Sequence, residues 1–71
     1  MKFKKGVYKH FKGHVYKAIG IAKHSETLEE MVVYINVDNE DDIWLRPVNM
    51  FLETITRDGK TFPRFEFIRD L

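Results

Sequence analysis

The chain predicts a mainly β fold: a small β-barrel of five or six short strands with at most one short helical turn. Three observations point there. The dominant hydrophobic period is two. Runs rich in β-branched and aromatic residues alternate with Gly, Asp and Asn turn signals. Finally, 71 residues carry Phe 6, Tyr 3 and Trp 1 but no cysteine. So small a chain leaves much of its surface exposed, and with no disulfide it depends on compact closure around large aromatic side chains.

Val7 to Phe11 reads as a leading strand, and Phe11-Lys12-Gly13-His14 offers a glycine for a hairpin turn. Val15 to His24 alternates next, with Val15, Lys17, Ile19, Ile21 and Lys23 on one side and Tyr16, Ala18, Gly20, Ala22 and His24 on the other. Gly20 suits a bend in this strand. Thr27-Leu28-Glu29-Glu30 places Thr three residues before Glu, the spacing of a capping box, and predicts one helical turn. Met31 to Val37 is the strongest β-forming run. Asp38 to Asp42 is a loop, Ile43 to Arg46 a short strand, and Pro47 to Thr54 a short helical or 3₁₀ turn with Val48, Phe51 and Leu52 on one face. The Asp58-Gly59 pair marks another tight turn, and Phe62 to Ile68 a last strand. Trp44, Phe51, Phe65 and Phe67 are the expected core aromatics.

Charge is unevenly spread. Residues 1–24 hold seven lysines and no acid, residues 25–53 hold eight acids against Arg46, and the whole sums to +1. On a strand meander much of this cancels, because pairing Val15–His24 with Met31–Val37 brings Lys17 towards Asp38 and Lys23 towards Glu29. The bases left over are Lys2, Lys4, Lys5, Lys9 and Lys12. They interleave with aromatics, a pattern that serves single-stranded nucleic acid on small barrels. Solvated lysines on an outer strand face give the same pattern. No apolar run approaches the length of a membrane span or the core of a signal peptide, so a cytoplasmic protein without membrane contact is expected. Residues 1–71 read as one domain, with 1–5 as a flexible basic lead-in.

Four strings stand out together: Tyr8-Lys9-His10-Phe11-Lys12-Gly13, Ala22-Lys23-His24-Ser25-Glu26-Thr27, Trp44-Leu45-Arg46-Pro47 and Pro63-Arg64-Phe65. In order and spacing the chain resembles a family of short bacterial domains known as domain of unknown function 1653, from about Gly6 to Phe65. The resemblance implies an SH3-type small barrel. It carries over no catalytic or binding residue.

The candidate ligand-binding set is His24, Ser25, Glu26, Arg46 and Arg64. On an extended backbone His24 and Glu26 share a face, which suits acid–base chemistry or ligand contact. The plainer alternative has Ser25 and Thr27 completing turn hydrogen bonds. Arg46 and Arg64 each adjoin a proline and lie near an aromatic, and a guanidinium grips carboxylate or phosphate in a fork. The alternative for them is an internal ion pair with Glu26 or Glu53. Lys4, Lys5, Lys9 and Lys12 form the candidate basic surface. A metal centre is not expected, because His10 and His14 lack an evident third ligand, and no cofactor motif is present. The leading reading is a small binding module for an anionic ligand or nucleic acid, monomeric or homodimeric. The alternatives are a small enzyme using His24 and Glu26, and a structural or protein-interaction domain, including a homodimer that covers an exposed barrel edge.

Overall fold

A computed structural model describes residues Phe3–Leu71. Their strands are β1 (Gly6–His10), β2 (Val15–Lys23), β3 (Glu30–Asn36), β4 (Ile43–Pro47), β5 (Thr54–Arg57), β6 (Lys60–Pro63) and β7 (Phe65–Arg69), with one helical turn, α1 (Val48–Phe51), after β4. The mainly β expectation holds, including the single short helix. The barrel does not close. One antiparallel sheet runs β4-β3-β2-β1-β7, while β5 and β6 pair only with each other. Both β4 and β7 therefore remain edges, and α1, not a further strand, packs on β3 and β4.

The core explains that choice. Tyr8, Ala18, Val32, Tyr34, Phe51 and Phe65 form its buried cluster, with Phe3, Tyr16, Val48 and Leu52 packed against it. Phe51 from α1 lies stacked on Phe65, ring centroids 4.1 Å apart, and meets Tyr8 edge-on at 5.1 Å. Val48, Phe51 and Leu52 thus share the inward face of the turn that follows Pro47. Of the expected lead-in, Phe3 stacks against Tyr8 and meets Phe51 edge-on, and Lys2 lies outside the described residues. Two of the expected core aromatics are not buried: Trp44 is 47% exposed on the edge strand β4 and Phe67 is 38% exposed on the edge strand β7. Edge position leaves those two rings partly uncovered, whereas Phe65, also on β7, is buried under Phe51.

Several local expectations shift for identifiable reasons. A bulge at Ile19 interrupts the β2–β3 register between Ala18 and Gly20. One extra residue moves the following side chains to the other face, so Ile21 stands opposite buried Val32. Thr27–Glu30 forms no helical turn. Leu28 has φ 63°, and the Thr27 hydroxyl accepts from the Glu29 N–H instead. The expected Phe62–Ile68 strand breaks at Arg64, whose N–H donates to the Glu53 carbonyl (3.0 Å) and whose carbonyl accepts from the Phe11 N–H (3.0 Å). Strand β5 had no signal of its own. It exists as the partner of β6 across Asp58-Gly59, both with positive φ (52° and 76°), as a tight two-residue hairpin requires. Gly6 is fixed by crowding: a Cβ there would lie 2.5 Å from the Arg69 carbonyl oxygen and from the Phe67 ring.

Candidate functional site

Period-two alternation and the β3–β4 register together build an open groove on the inner face of the sheet. Trp44 and Arg46 are two apart on β4 and stand opposite Tyr34 and Val32 of β3. The β1–β2 turn supplies the other wall, closed by hydrogen bonds from the His10 N–H to the His14 carbonyl and from the Gly13 N–H to the His10 carbonyl (both 2.7 Å). The groove encloses about 270 Å³. Its cationic or ionisable walls are His10, Lys12, His14 and Arg46, and Tyr16, Tyr34, Trp44 and Phe65 supply aromatic surface. No carboxylate lines it.

The Arg46 guanidinium is held without being neutralised. Its Nε donates to the Tyr34 hydroxyl at 3.4 Å, and its central carbon lies 5.6 Å from the Phe65 ring centroid, within cation–π range. Among the described residues the ion pairs are Lys4–Asp70, Lys17–Glu40 and Arg64–Glu53, so Arg46 has no carboxylate partner there. His10 packs tilted on Phe11 and edge-on to Phe65, and its Nδ1 accepts from the Lys12 N–H (3.1 Å). Burial first, then the positive charges of Arg46, Arg64, Lys12 and His14, hold the His10 imidazole below its ordinary value of 6.5. Burial likewise raises the Tyr16 phenol above its ordinary range, with Tyr34 and Asp42 acting in the same direction and Arg46 opposing them.

The candidate residues read from sequence do not form one cluster. His24, Ser25 and Glu26 occupy the exposed turn between β2 and β3. There the His24 Nδ1 accepts from the N–H groups of Glu26 (3.1 Å) and Thr27 (3.3 Å), while the His24 N–H donates to the Glu29 carbonyl. One imidazole nitrogen therefore completes a turn. Arg46 lies on β4, the strand next to β3, and its side chain bonds to Tyr34 and not to this turn. Arg64 donates to the Glu53 carboxylate at 2.7 Å, the internal pair weighed from sequence, and its buried Nε has no partner.

The basic surface also divides. Lys4 pairs with Asp70 at 3.3 Å and lies over Phe67. Lys5 is exposed, and Lys9 lines a neighbouring hollow that Glu66 shares. Only Lys12 of these reaches the groove. Lys17 does meet the β3–β4 loop, 3.7 Å from Glu40, and Lys23 stands opposite Glu30. No group of three or more potential metal ligands occurs among the described residues, and no described helix is long and apolar enough to cross a membrane. The candidate ligand set drawn from the sequence left out His10, His14, Tyr16 and Trp44. Their signal was present as alternation: His14 and Tyr16, like Trp44 and Arg46, are two apart and share a face.

Fold and groove together define a small antiparallel β domain with a cationic, aromatic-lined hollow. The chain belongs to the family described as Protein of unknown function (DUF1653), whose model matches residues 6–67. It is similar to the crystal structure of a DUF1653 protein from Bordetella bronchiseptica, at 32% identity and a TM-score of 0.87, covering 99% of this chain and 92% of that one. No curated protein matches the chain.

Proposed function

We propose that this domain is a binding module that holds an anionic ligand bearing an aromatic ring, a nucleotide free or within a single strand, in the groove between β4 and the β1–β2 turn. The observation that carries this is Arg46, a guanidinium without a carboxylate partner among the described residues, beside the exposed indole of Trp44. A guanidinium binds phosphate through paired N–H groups, and an exposed indole stacks on a base. Lys12 extends the positive wall, and the His10 and His14 imidazoles stand beside it. The groove has room for about one nucleotide unit, so a strand would continue past it, towards Lys9 beside His10.

Trp44 is the single tryptophan of the chain and lines the groove, so its fluorescence reports occupancy directly. Titrations with inorganic phosphate, a mononucleotide and a short single-stranded oligonucleotide at low and high salt separate the possible ligands. The expected result is quenching by both nucleotide forms, weakened by salt, with phosphate alone binding more weakly. A signal unchanged by all three at low salt overturns the reading.

A further inference from the structure

We propose that a second copy of this chain docks on the free edge of β4, forming a two-fold antiparallel strand pair centred on Trp44. Soluble proteins blunt sheet edges with charge, proline or a covering segment. Here Ile43 and Leu45 are 59% and 58% exposed on an edge strand, with Trp44 between them. Because Arg46 and Trp44 also line the groove, pairing of two copies competes with a ligand there, and the tests are made without ligand.

The direction and register follow from the backbone. The Asn36 N–H donates to the Asp42 carbonyl (3.1 Å), and β3 pairs with β4 in unbroken antiparallel register. Backbone groups alternate in direction along such a strand. The Asp42 carbonyl, Trp44 and Arg46 therefore face β3, the Asp42 N–H turning back to the Asn39 carbonyl (3.0 Å), and Ile43 and Leu45 present their groups to the open edge. A two-fold axis at Trp44 sets Ile43 of each copy against Leu45 of the other, so both residues exchange N–H···O=C bonds reciprocally. The same axis sets Asp42 against Arg46 on the inner face, twice, and Trp44 against its own copy. Opposite charges and aromatic pairs across strands each stabilise a sheet. Neighbouring registers lose this match: an axis at Ile43 puts Leu45 against Asp41, and an axis at Leu45 puts Ile43 against Pro47, which has no N–H to donate. The interface is isologous, as closed dimers require. It is also short, so the dimer is weak and depends on concentration.

Sedimentation or native mass measurement of the full chain over rising concentration, with charge variants, tests this. The wild type is expected to dimerise. Asp42→Arg sets Arg against Arg46, and Arg46→Asp sets Asp against Asp42, so each alone should self-associate about tenfold more weakly or worse. Mixed together, the two variants restore both opposite-charge pairs and should form the heterodimer. Leu45→Pro removes a donor that faces the open edge in the monomer and should abolish pairing, which decides the matter should either charge variant fail to fold. A wild type that stays monomeric at millimolar concentration overturns the proposal. So does a dimer that Leu45→Pro leaves intact, or a mixture that associates no better than its components.

Discussion

One inner sheet face has two halves with opposite characters. Under α1 it is closed: Phe51 covers Tyr8, Tyr34 and Phe65, and Phe3 adds a further layer. Beside the β1–β2 turn it is open: Tyr16 continues the aromatic surface, but Arg46, Trp44 and that turn rim a hollow instead of filling it. The two halves share Phe65, which stacks on Phe51 on one side and faces the Arg46 guanidinium on the other. Aromatic burial thus does two jobs here. Where a hydrophobic turn covers it, it stabilises the fold, and where a cation stands over it, it leaves a surface suited to a ligand.

The largest break should come from the closed half. Phe51 is 1% exposed, and Phe51→Ala should cost about 3–5 kcal/mol. In so small a domain that approaches the whole stability, and thermal unfolding would show a lost or strongly lowered transition. Arg46→Gln should leave the melting temperature nearly unchanged, because its bond to the Tyr34 hydroxyl is long. It should weaken nucleotide binding by about 1.5–3 kcal/mol, roughly tenfold or more, read by Trp44 fluorescence. If Arg46→Gln unfolds the protein instead, the open half is structural after all. A smaller effect is expected at His24. Removing its turn acceptor with His24→Ala should cost about 0.5–1 kcal/mol of stability in a denaturant melt and leave binding untouched.

The smallest effect is the pH dependence of His10. Its folded value lies below 6.5, so the unfolded chain takes up a proton first as pH falls. Stability is therefore level above that value and declines as pH drops through it towards the lower folded value. A bound anion favours the imidazolium, so affinity should run the other way and rise over the same acid window. Isothermal titration in buffers of different ionisation heat would register the accompanying proton uptake.

Much of the fold was legible because it is local. Alternation located five strands, Asp58-Gly59 marked a hairpin, and Pro47 with the Val48–Phe51–Leu52 face marked α1. Closure was not legible. Whether β4 meets β7 depends on how Phe51 packs, which is a contact between distant segments with no local pattern. The Ile19 bulge was legible only as the bend that Gly20 suits, since the register slip itself is set by the partner strand. At the site, Arg46 was identified but its companions were not. The H-S-E-T string drew attention by packing polar residues together, yet His24 spends one nitrogen on turn amides. The residues that do gather around Arg46 come from β1, β2, β3, β7 and the β1–β2 turn as well as from β4 itself. Only the sheet order brings these together.

Amide and indole chemical-shift mapping of the isotopically labelled chain with a mononucleotide tests the central claim most directly. The expected result is perturbation concentrated at His10, Lys12, His14, Tyr16, Trp44 and Arg46, with the His24–Thr27 turn unchanged. Shifts centred on that turn, or none anywhere at saturating nucleotide, would contradict it.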